Sequence, residues 1–337
     1  MSSSKALTQS SDSVYIPTVA GTIGAFIITA GILVIARQKA PYPLLLADRL
    51  LNGLGWIEIC LLAVYAAFIS NRMSRGDSTK IRLKIWLLFS IVFFGQFILG
   101  LAGIEGFLMT GRLHVPVPAV VIGGPIFRGA RFFMPILFLS TIILVGPAWC
   151  SHLCYIGGWD GLAASNKKRS STLGPLWTKL RIATLVATPL VALLLRLLKV
   201  DGIVAGVVAI SFGVFGIGIM TLLSTRRGVM VHCTAFCPLG LAGNILGKIS
   251  PFRLRIKSSC TKCGLCVPQC RYNALDMVKI SKRRPGFSCT LCGDCLGACR
   301  DNAIAFTFLG LNERNARALF LTLTISLHAV FLGVARI

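Results

Sequence analysis

The sequence predicts an all-α polytopic membrane bundle of about six or seven transmembrane helices that carries a small, cysteine-rich α+β domain. Three observations lead to this class. The 337-residue chain has a mean hydropathy of +0.78 with only 14% charged residues, which excludes an ordinary soluble protein. It contains seven apolar stretches of about 20 residues, the length that crosses a bilayer. Twelve of its 13 cysteines lie between residues 150 and 299.

The apolar stretches predict the spans 18–36, 51–70, 85–105, 132–149, 182–198, 203–223 and 318–335. Arg196 interrupts the fifth stretch and the seventh is short. The first stretch runs into Ala36-Arg-Gln-Lys, which is not a small-residue cleavage site, so we expect this span to be retained and not removed as a signal peptide.

The net charge of +24 is distributed unevenly along the chain. The segments 71–84, 150–181 and 224–314 are rich in Lys and Arg, whereas the segments between them are more weakly basic. The positive-inside rule then places the amino terminus and all three basic segments in the cytoplasm and the carboxy terminus outside, in the inner (cytoplasmic) membrane. Anionic lipid headgroups explain much of the charge. Nucleic-acid binding is not expected, because no basic soluble module exists apart from the cysteine region.

Eight cysteines follow the spacing of a two-cluster bacterial ferredoxin. Residues 260–270 read CTKCGLCVPQC and residues 289–299 read CTLCGDCLGAC, both Cys-x2-Cys-x2-Cys-x3-Cys. A reducing cytoplasm disfavours disulfides, and two complete four-cysteine runs distinguish the pattern from a zinc ribbon. The fourth cysteine of each run binds the other cluster. We therefore expect one [4Fe–4S] cluster on Cys260, Cys263, Cys266 and Cys299, and a second on Cys289, Cys292, Cys295 and Cys270.

Each fourth cysteine is followed by an arginine where such ferredoxins usually have proline. These residues are Arg271 and Arg300. A permanent positive charge beside a ligand favours the reduced cluster, so we expect both arginines to raise the reduction potential; the alternative is that they only reach solvent or lipid phosphate.

Two further cysteine pairs have Cys-x3-Cys spacing, CSHLCYIGG at 150–158 and HCTAFCPLG at 232–240, each after an apolar span. Together with the basic SPFRLRI before Cys260, this order over residues 85–306 resembles the NapH/MauN-like polyferredoxin-type membrane proteins, a family that also includes the membrane cores of NosR and CcoG. The resemblance implies a quinol dehydrogenase-type electron-transfer subunit that exchanges electrons between the quinone pool and other redox subunits. Tyr155 departs from the family, which usually has proline there.

The two Cys-x3-Cys pairs are expected to meet, because each follows a helical pair that runs in the same direction. Four converging thiols of Cys150, Cys154, Cys233 and Cys237 would build a third Fe–S cluster between quinone and ferredoxin. A redox-active or copper-handling thiol set and a structural role remain open alternatives. Cys60 is left over within the second span, and we expect it to be an inert core thiol.

A quinol site needs a proton acceptor beside the ring. Glu105, at the outer end of the third span, and His114, in the following loop, are the candidates on the outer side, and Glu58 and Arg196 are ionisable residues inside spans. The Pro/Gly-rich loop 106–130 is expected either to lie on the outer surface as a lid or to connect two spans. No haem is expected, because His328 is the only histidine within a span. His152 and His232 flank the extra cysteines as candidate ligands or proton carriers.

These features predict four regions. They are an N-terminal pair of spans with a basic loop at 1–84, a four-span core at 85–258, the ferredoxin domain at 259–310 and a final span at 317–337. The leading function is electron transfer between the quinone pool and a partner oxidoreductase, with an acidic electron-transfer protein as a suitable partner for the basic face. The alternatives are a copper reductase or maturation factor and a membrane redox regulator or scaffold.

Overall fold

The structure is a computed structural model that describes residues 3–75, 78–107 and 115–334. The chain forms two compact units, one of residues 1–113 with 305–337 and the other of residues 114–304. The third span falls in the same unit as the first two and the last, and spans four to six fall in the other unit.

Among the described residues, seven helices are long and apolar enough to cross a membrane, and each coincides with one of the seven predicted spans. They are Thr18–Lys39, Gly55–Arg75, Ser78–Leu101, Phe133–Leu153, Pro175–Leu197, Gly202–Arg227 and Glu313–Val334. Large apolar side chains such as Ile27, Leu61, Ile98 and Phe215 are exposed on these helices, as expected for surfaces that face lipid.

The first unit consists of α1 (Ser3–Lys39), α2 (Leu46–Leu50), α3 (Gly55–Arg75), α4 (Ser78–Leu101) and α14 (Glu313–Val334). Small residues let α1 approach α14 closely, and the hydroxyl of Thr322 donates to Gly21 O at 3.1 Å. In the same unit the hydroxyl of Tyr65 lies 3.1 Å from Nε2 of His328. Cys60 is exposed on α3, so the prediction of a core thiol is wrong.

The second unit holds the remaining spans and the short helices around the cysteines. Its helices are α5 (Ala119–Arg128), α6 (Phe133–Val145), α7 (Tyr155–Ser165), α8 (Pro175–Leu197), α9 (Gly202–Ile219), α10 (Thr225–Arg227), α11 (Pro238–Leu246), α12 (Met277–Ser281) and α13 (Asp294–Gly297). The chain also forms two short strands, β1 (Arg253–Ile256) and β2 (Ile304–Thr307).

The described part of the loop before α6 includes helix α5, and the role of this loop as a surface lid or a connection stays a prediction. Helix α5 packs along α8, and the absence of a side chain on Gly123 lets it approach Thr188 and Ala192. At the far end of α5, Nη1 of Arg196 donates to Ile126 O at 3.3 Å. Helix α5 thus lies against the Arg196 end of α8, where its apolar and compact Val-Val-Ile-Gly-Gly sequence allows close packing.

Candidate iron–sulfur relay

The two Cys-x3-Cys pairs have the same local structure. Each pair begins in a five-residue π-helical turn, Trp149–Leu153 or His232–Phe236, that contains the first cysteine. The second cysteine, Cys154 or Cys237, is the extended residue before the next helix, α7 or α11. Its N–H closes the turn by donating to Trp149 O at 3.0 Å or to His232 O at 2.7 Å. The repeat expected from the spacing is therefore present in the backbone.

All four thiols of these pairs line one cavity. Its empty space is about 290 Å³, including the open space at its mouth. Besides the cysteines it is lined by Pro118, Trp149, Ile156, His232, Leu239 and Gly240. We call Cys150, Cys154, Cys233 and Cys237 the third thiol set.

Close backbone packing shapes this cavity. A Cβ on Gly240 would lie 2.3 Å from the carbonyl oxygen of Cys233, and one on Gly216 would lie 2.6 Å from the imidazole ring of His232. Both approaches are shorter than real Cβ contacts allow. Glycine at these two positions is therefore a condition for the present course of the chain around Cys233.

Two buried charged residues accompany the third thiol set, and the sequence did not single them out. Asp160 on α7 accepts a hydrogen bond from the Cys233 N–H at 2.9 Å. Burial raises the pKa of its carboxyl to about 6, against the opposing effect of its hydrogen bonds. Arg181 on α8 is only 6% exposed, lies near Cys150, Cys233 and Cys237, and donates to the side-chain oxygen of Asn244. Its guanidinium places a positive charge beside these three thiols.

The two flanking histidines have different surroundings. His152 lies with Nδ1 2.9 Å from the Ser151 hydroxyl. His232 lines the cavity, and neither of its ring nitrogens has a hydrogen-bond partner among the described residues. Burial lowers its pKa to about 4. Only His232 therefore faces the space between the thiols.

The eight ferredoxin cysteines separate into the two predicted sets. Cys270, Cys289, Cys292 and Cys295 line a second cavity with about 320 Å³ of empty space. Burial raises the pKa of Cys266 to about 11, with added effects of nearby Cys299, Cys260 and Cys263. Each fourth cysteine thus lies with the first three cysteines of the other run. The duplication extends to hydrogen bonds, since Ala274 N–H donates to Cys270 Sγ and Ala303 N–H to Cys299 Sγ, both at 3.2 Å.

Direct hydrogen bonds connect the third thiol set with the set around Cys270. The Tyr272 hydroxyl donates to Cys150 O at 2.8 Å. The Ser151 hydroxyl donates to Thr290 O at 3.0 Å, and the Asn244 amide donates to Cys289 O at 3.2 Å. These bonds fix the ferredoxin region to the first Cys-x3-Cys loop and to helix α11, which follows the second loop. All three involve residues within or beside the second ferredoxin set.

The donor chemistry fits iron–sulfur clusters at all three sets. Burial raises the pKa of Cys237 to about 12 and that of Cys289 to about 12, so these thiols need a compensating cationic centre to become thiolates. Among the described residues, no group of three or more His, Cys, Asp or Glu side chains is placed to hold a single metal ion. A cubane occupies the space between its four thiolates, so its ligands lie further apart than those of one ion.

The residues predicted for quinol chemistry are placed as follows. Glu105 is exposed in the short 3₁₀ turn Glu105–Phe107 of the first unit. The Glu58 carboxylate accepts the Ala47 N–H at 2.8 Å, and Arg196 contacts the backbone of α5. His114 lies outside the described residues. The described structure brings none of these side chains into the two thiol-lined cavities.

Two family models match the chain, and both are described as a 4Fe-4S binding domain. One matches residues 127–171 and 206–257, and the other matches residues 255–276. The first covers the two Cys-x3-Cys pairs and no other cysteine, whereas the second covers the first ferredoxin run. No curated protein and no solved structure gives a significant match.

The matches and the thiol sets define an iron–sulfur protein of the electron-transport class. Its 4Fe-4S binding domains are joined to a helical bundle of the multi-pass membrane type.

Proposed function

We propose that this protein is a membrane electron-transfer subunit that passes electrons between the quinone pool and a partner oxidoreductase. Two [4Fe–4S] clusters would occupy the ferredoxin sets, and a third cluster would occupy Cys150, Cys154, Cys233 and Cys237. The observation that carries the proposal is the hydrogen bond from Tyr272 to Cys150 O, which joins the third thiol set to the chain of the ferredoxin ligand Cys270.

The residues of the chain have distinct tasks in this relay. When bound, the clusters supply one-electron redox chemistry. Tyr272, Ser151 and Asn244 hold two thiol sets at a fixed separation, which matters because electron tunnelling falls steeply with distance. The buried Arg181 compensates negative charge on the third set, and the apolar lining excludes water.

The quinone end of the proposal rests on the resemblance to the NapH/MauN-like family and on the apolar helices. Glu105 and His114 remain its proposed proton acceptors. The basic loops support an inner-membrane location with the ferredoxin domain in the cytoplasm. Reduction of the clusters by menadiol, measured from their visible absorbance, tests the quinone end of the proposal. Glu105→Gln should slow this reduction and leave reduction by dithionite unchanged.

Iron and acid-labile sulfide per chain test the third centre. Protein purified in detergent without oxygen should contain about 12 iron atoms, four for each cube. The double variant Cys233→Ser/Cys237→Ser should retain about 8. Cys60→Ser is the matched control, because that thiol is exposed on α3 and belongs to no set.

The same preparations distinguish the alternatives. About 8 iron atoms in both the unchanged protein and the double variant would overturn the third cluster. Stoichiometric copper that disappears in the double variant would instead support the copper-handling function.

A further inference from the structure

The two ferredoxin sets differ in exposure. In the first set Cys263 is exposed and Cys260 is partly exposed, whereas in the second set Cys270 and Cys295 are buried. The hydrogen bonds to the Cys-x3-Cys loops come from the region of the second set. The first set is therefore the place where the described relay reaches the protein surface.

This surface has a small apolar centre and a cationic rim. Met277 and Val278 are 52% and 61% exposed, and Met277 Sδ lies against Gly264 in the loop of the first set. Lys262 and Arg300 are exposed beside the ligands Cys263 and Cys299. We call these residues and the loop 260–265 the cluster-one face.

Two acidic residues adjoin this face, and both are engaged: Asp276, before Met277, pairs with Lys279 Nζ at 3.0 Å, and Asp301 is bonded within the loop. The carboxylate of Asp301 accepts a hydrogen bond from the Thr261 hydroxyl at 2.6 Å and one from the Thr261 N–H at 3.3 Å. These bonds attach the loop of the first run to the end of the second. The loop is thus held in a fixed shape while Lys262 and Arg300 remain directed to solvent.

We propose that the cluster-one face is the docking site for a soluble, acidic electron-carrier protein. The inference rests on the proposed electron-transfer function and adds the partner and its contact surface. An apolar centre with a charged rim is the usual composition of a transient protein interface. Positive charge around it accelerates the encounter with an acidic partner. An anionic bilayer would complement the same charge, but lipid accepts no electron from the exposed thiol set.

The electron balance is simple. Dithionite supplies one electron to the cluster that the first set would hold in the full-length protein, and one oxidised flavodoxin molecule takes that electron up in its flavin. No bond is formed or broken between the two proteins.

Stopped-flow reduction of flavodoxin, used as the acidic probe, tests the docking site on full-length protein in nanodiscs. Lys262→Glu/Arg300→Glu should lower the second-order rate constant about tenfold at low ionic strength and remove most of its salt dependence. The control Lys168→Glu/Lys179→Glu makes the same change in net charge at two exposed lysines of the membrane core and should change the rate much less. Basic cytochrome c should show the opposite trend with the first variant.

Equal rates in the unchanged protein and Lys262→Glu/Arg300→Glu, or equal losses in the two variants, would overturn the docking site. A second result would also overturn it: the rate constant of the unchanged protein falls when anionic nanodiscs replace neutral ones, while that of Lys262→Glu/Arg300→Glu does not change. Lipid would then occupy the face. Iron content distinguishes a failure of the docking site from a failure of the third centre. The third centre is tested by the iron content of Cys233→Ser/Cys237→Ser, and the flavodoxin rates do not bear on it.

Discussion

The Tyr272 hydroxyl and the Cys150 carbonyl oxygen are joined by a hydrogen bond of 2.8 Å between residues 122 positions apart. Tyr272 follows Cys270, a predicted cluster ligand, by two residues and is only 2% exposed. Cys150 lies in the π-helical turn of the first Cys-x3-Cys pair. This one bond therefore connects two thiol sets that are far apart in the sequence.

Replacing Tyr272 with phenylalanine removes that bond and keeps the ring. The attachment should weaken by about 1 kcal/mol, the typical net contribution of a hydrogen bond. Electron transfer between the third set and the ferredoxin should slow severalfold in rapid-freeze EPR, with iron content unchanged. Tyr65→Phe is the control, because Tyr65 pairs with His328 in the other compact unit. Equal transfer rates in all three proteins would contradict the relay.

Gly240→Ala should destroy the third site and spare the ferredoxin. The added Cβ would meet the Cys233 carbonyl at 2.3 Å, and backbone cannot move aside as a flexible side chain can. We expect a loss of about 4 iron atoms per chain, one cube. In Gly218→Ala the Cβ meets nothing within 4 Å, so iron content should not change. Full retention of about 12 iron atoms in Gly240→Ala would contradict the requirement for glycine at this position.

Arg181→Gln should lower the reduction potential of the third centre. Removal of a buried positive charge beside Cys150, Cys233 and Cys237 disfavours the added electron, and a shift of about 60 mV corresponds to a tenfold change in the equilibrium for one electron. EPR-monitored potentiometry measures it. Arg196→Gln, on the same helix but at the α5 contact, is the control. A common shift in both variants would point to a general effect of net charge.

The sequence was most informative where a pattern has one physical cause. Apolar length identified all seven helices, because the bilayer thickness fixes how many residues a span needs. The crossed grouping of Cys270 and Cys299 followed from the ferredoxin spacing, which leaves each fourth cysteine beside the other run.

The burial of individual side chains and the side of each helix that faces lipid were not predictable from the same patterns. No sequence pattern distinguishes Asp160 and Arg181 from other loop and flank residues. They are buried because α7 and α8 pack around the cysteines. Cys60 has apolar neighbours in the sequence, but a helix that is apolar all round does not reveal which face meets lipid. The packing of α5 on α8 also depends on a contact between distant segments, which no local signal records.

The arginines after the two fourth cysteines should not be equivalent, although the sequence presents them as a repeat. Arg271 is partly buried and its Nη1 donates to Gly228 O at 2.7 Å, whereas Arg300 is exposed. Water and salt screen an exposed charge, and a partly buried charge acts at closer to full strength. Arg271→Gln should therefore lower the potential of the cluster on Cys270 by more than Arg300→Gln lowers that of the cluster on Cys299.

EPR-monitored titration of both single variants at low and high salt measures the difference. The shift caused by Arg300→Gln should shrink as salt is added, and the shift caused by Arg271→Gln should largely persist. Arg271→Lys keeps the charge and loses the fixed guanidinium, so it should restore most of the potential. Equal, salt-independent shifts in both glutamine variants would mean that exposure does not govern these charges, and no shift in either would show that the arginines act on solvent or lipid alone.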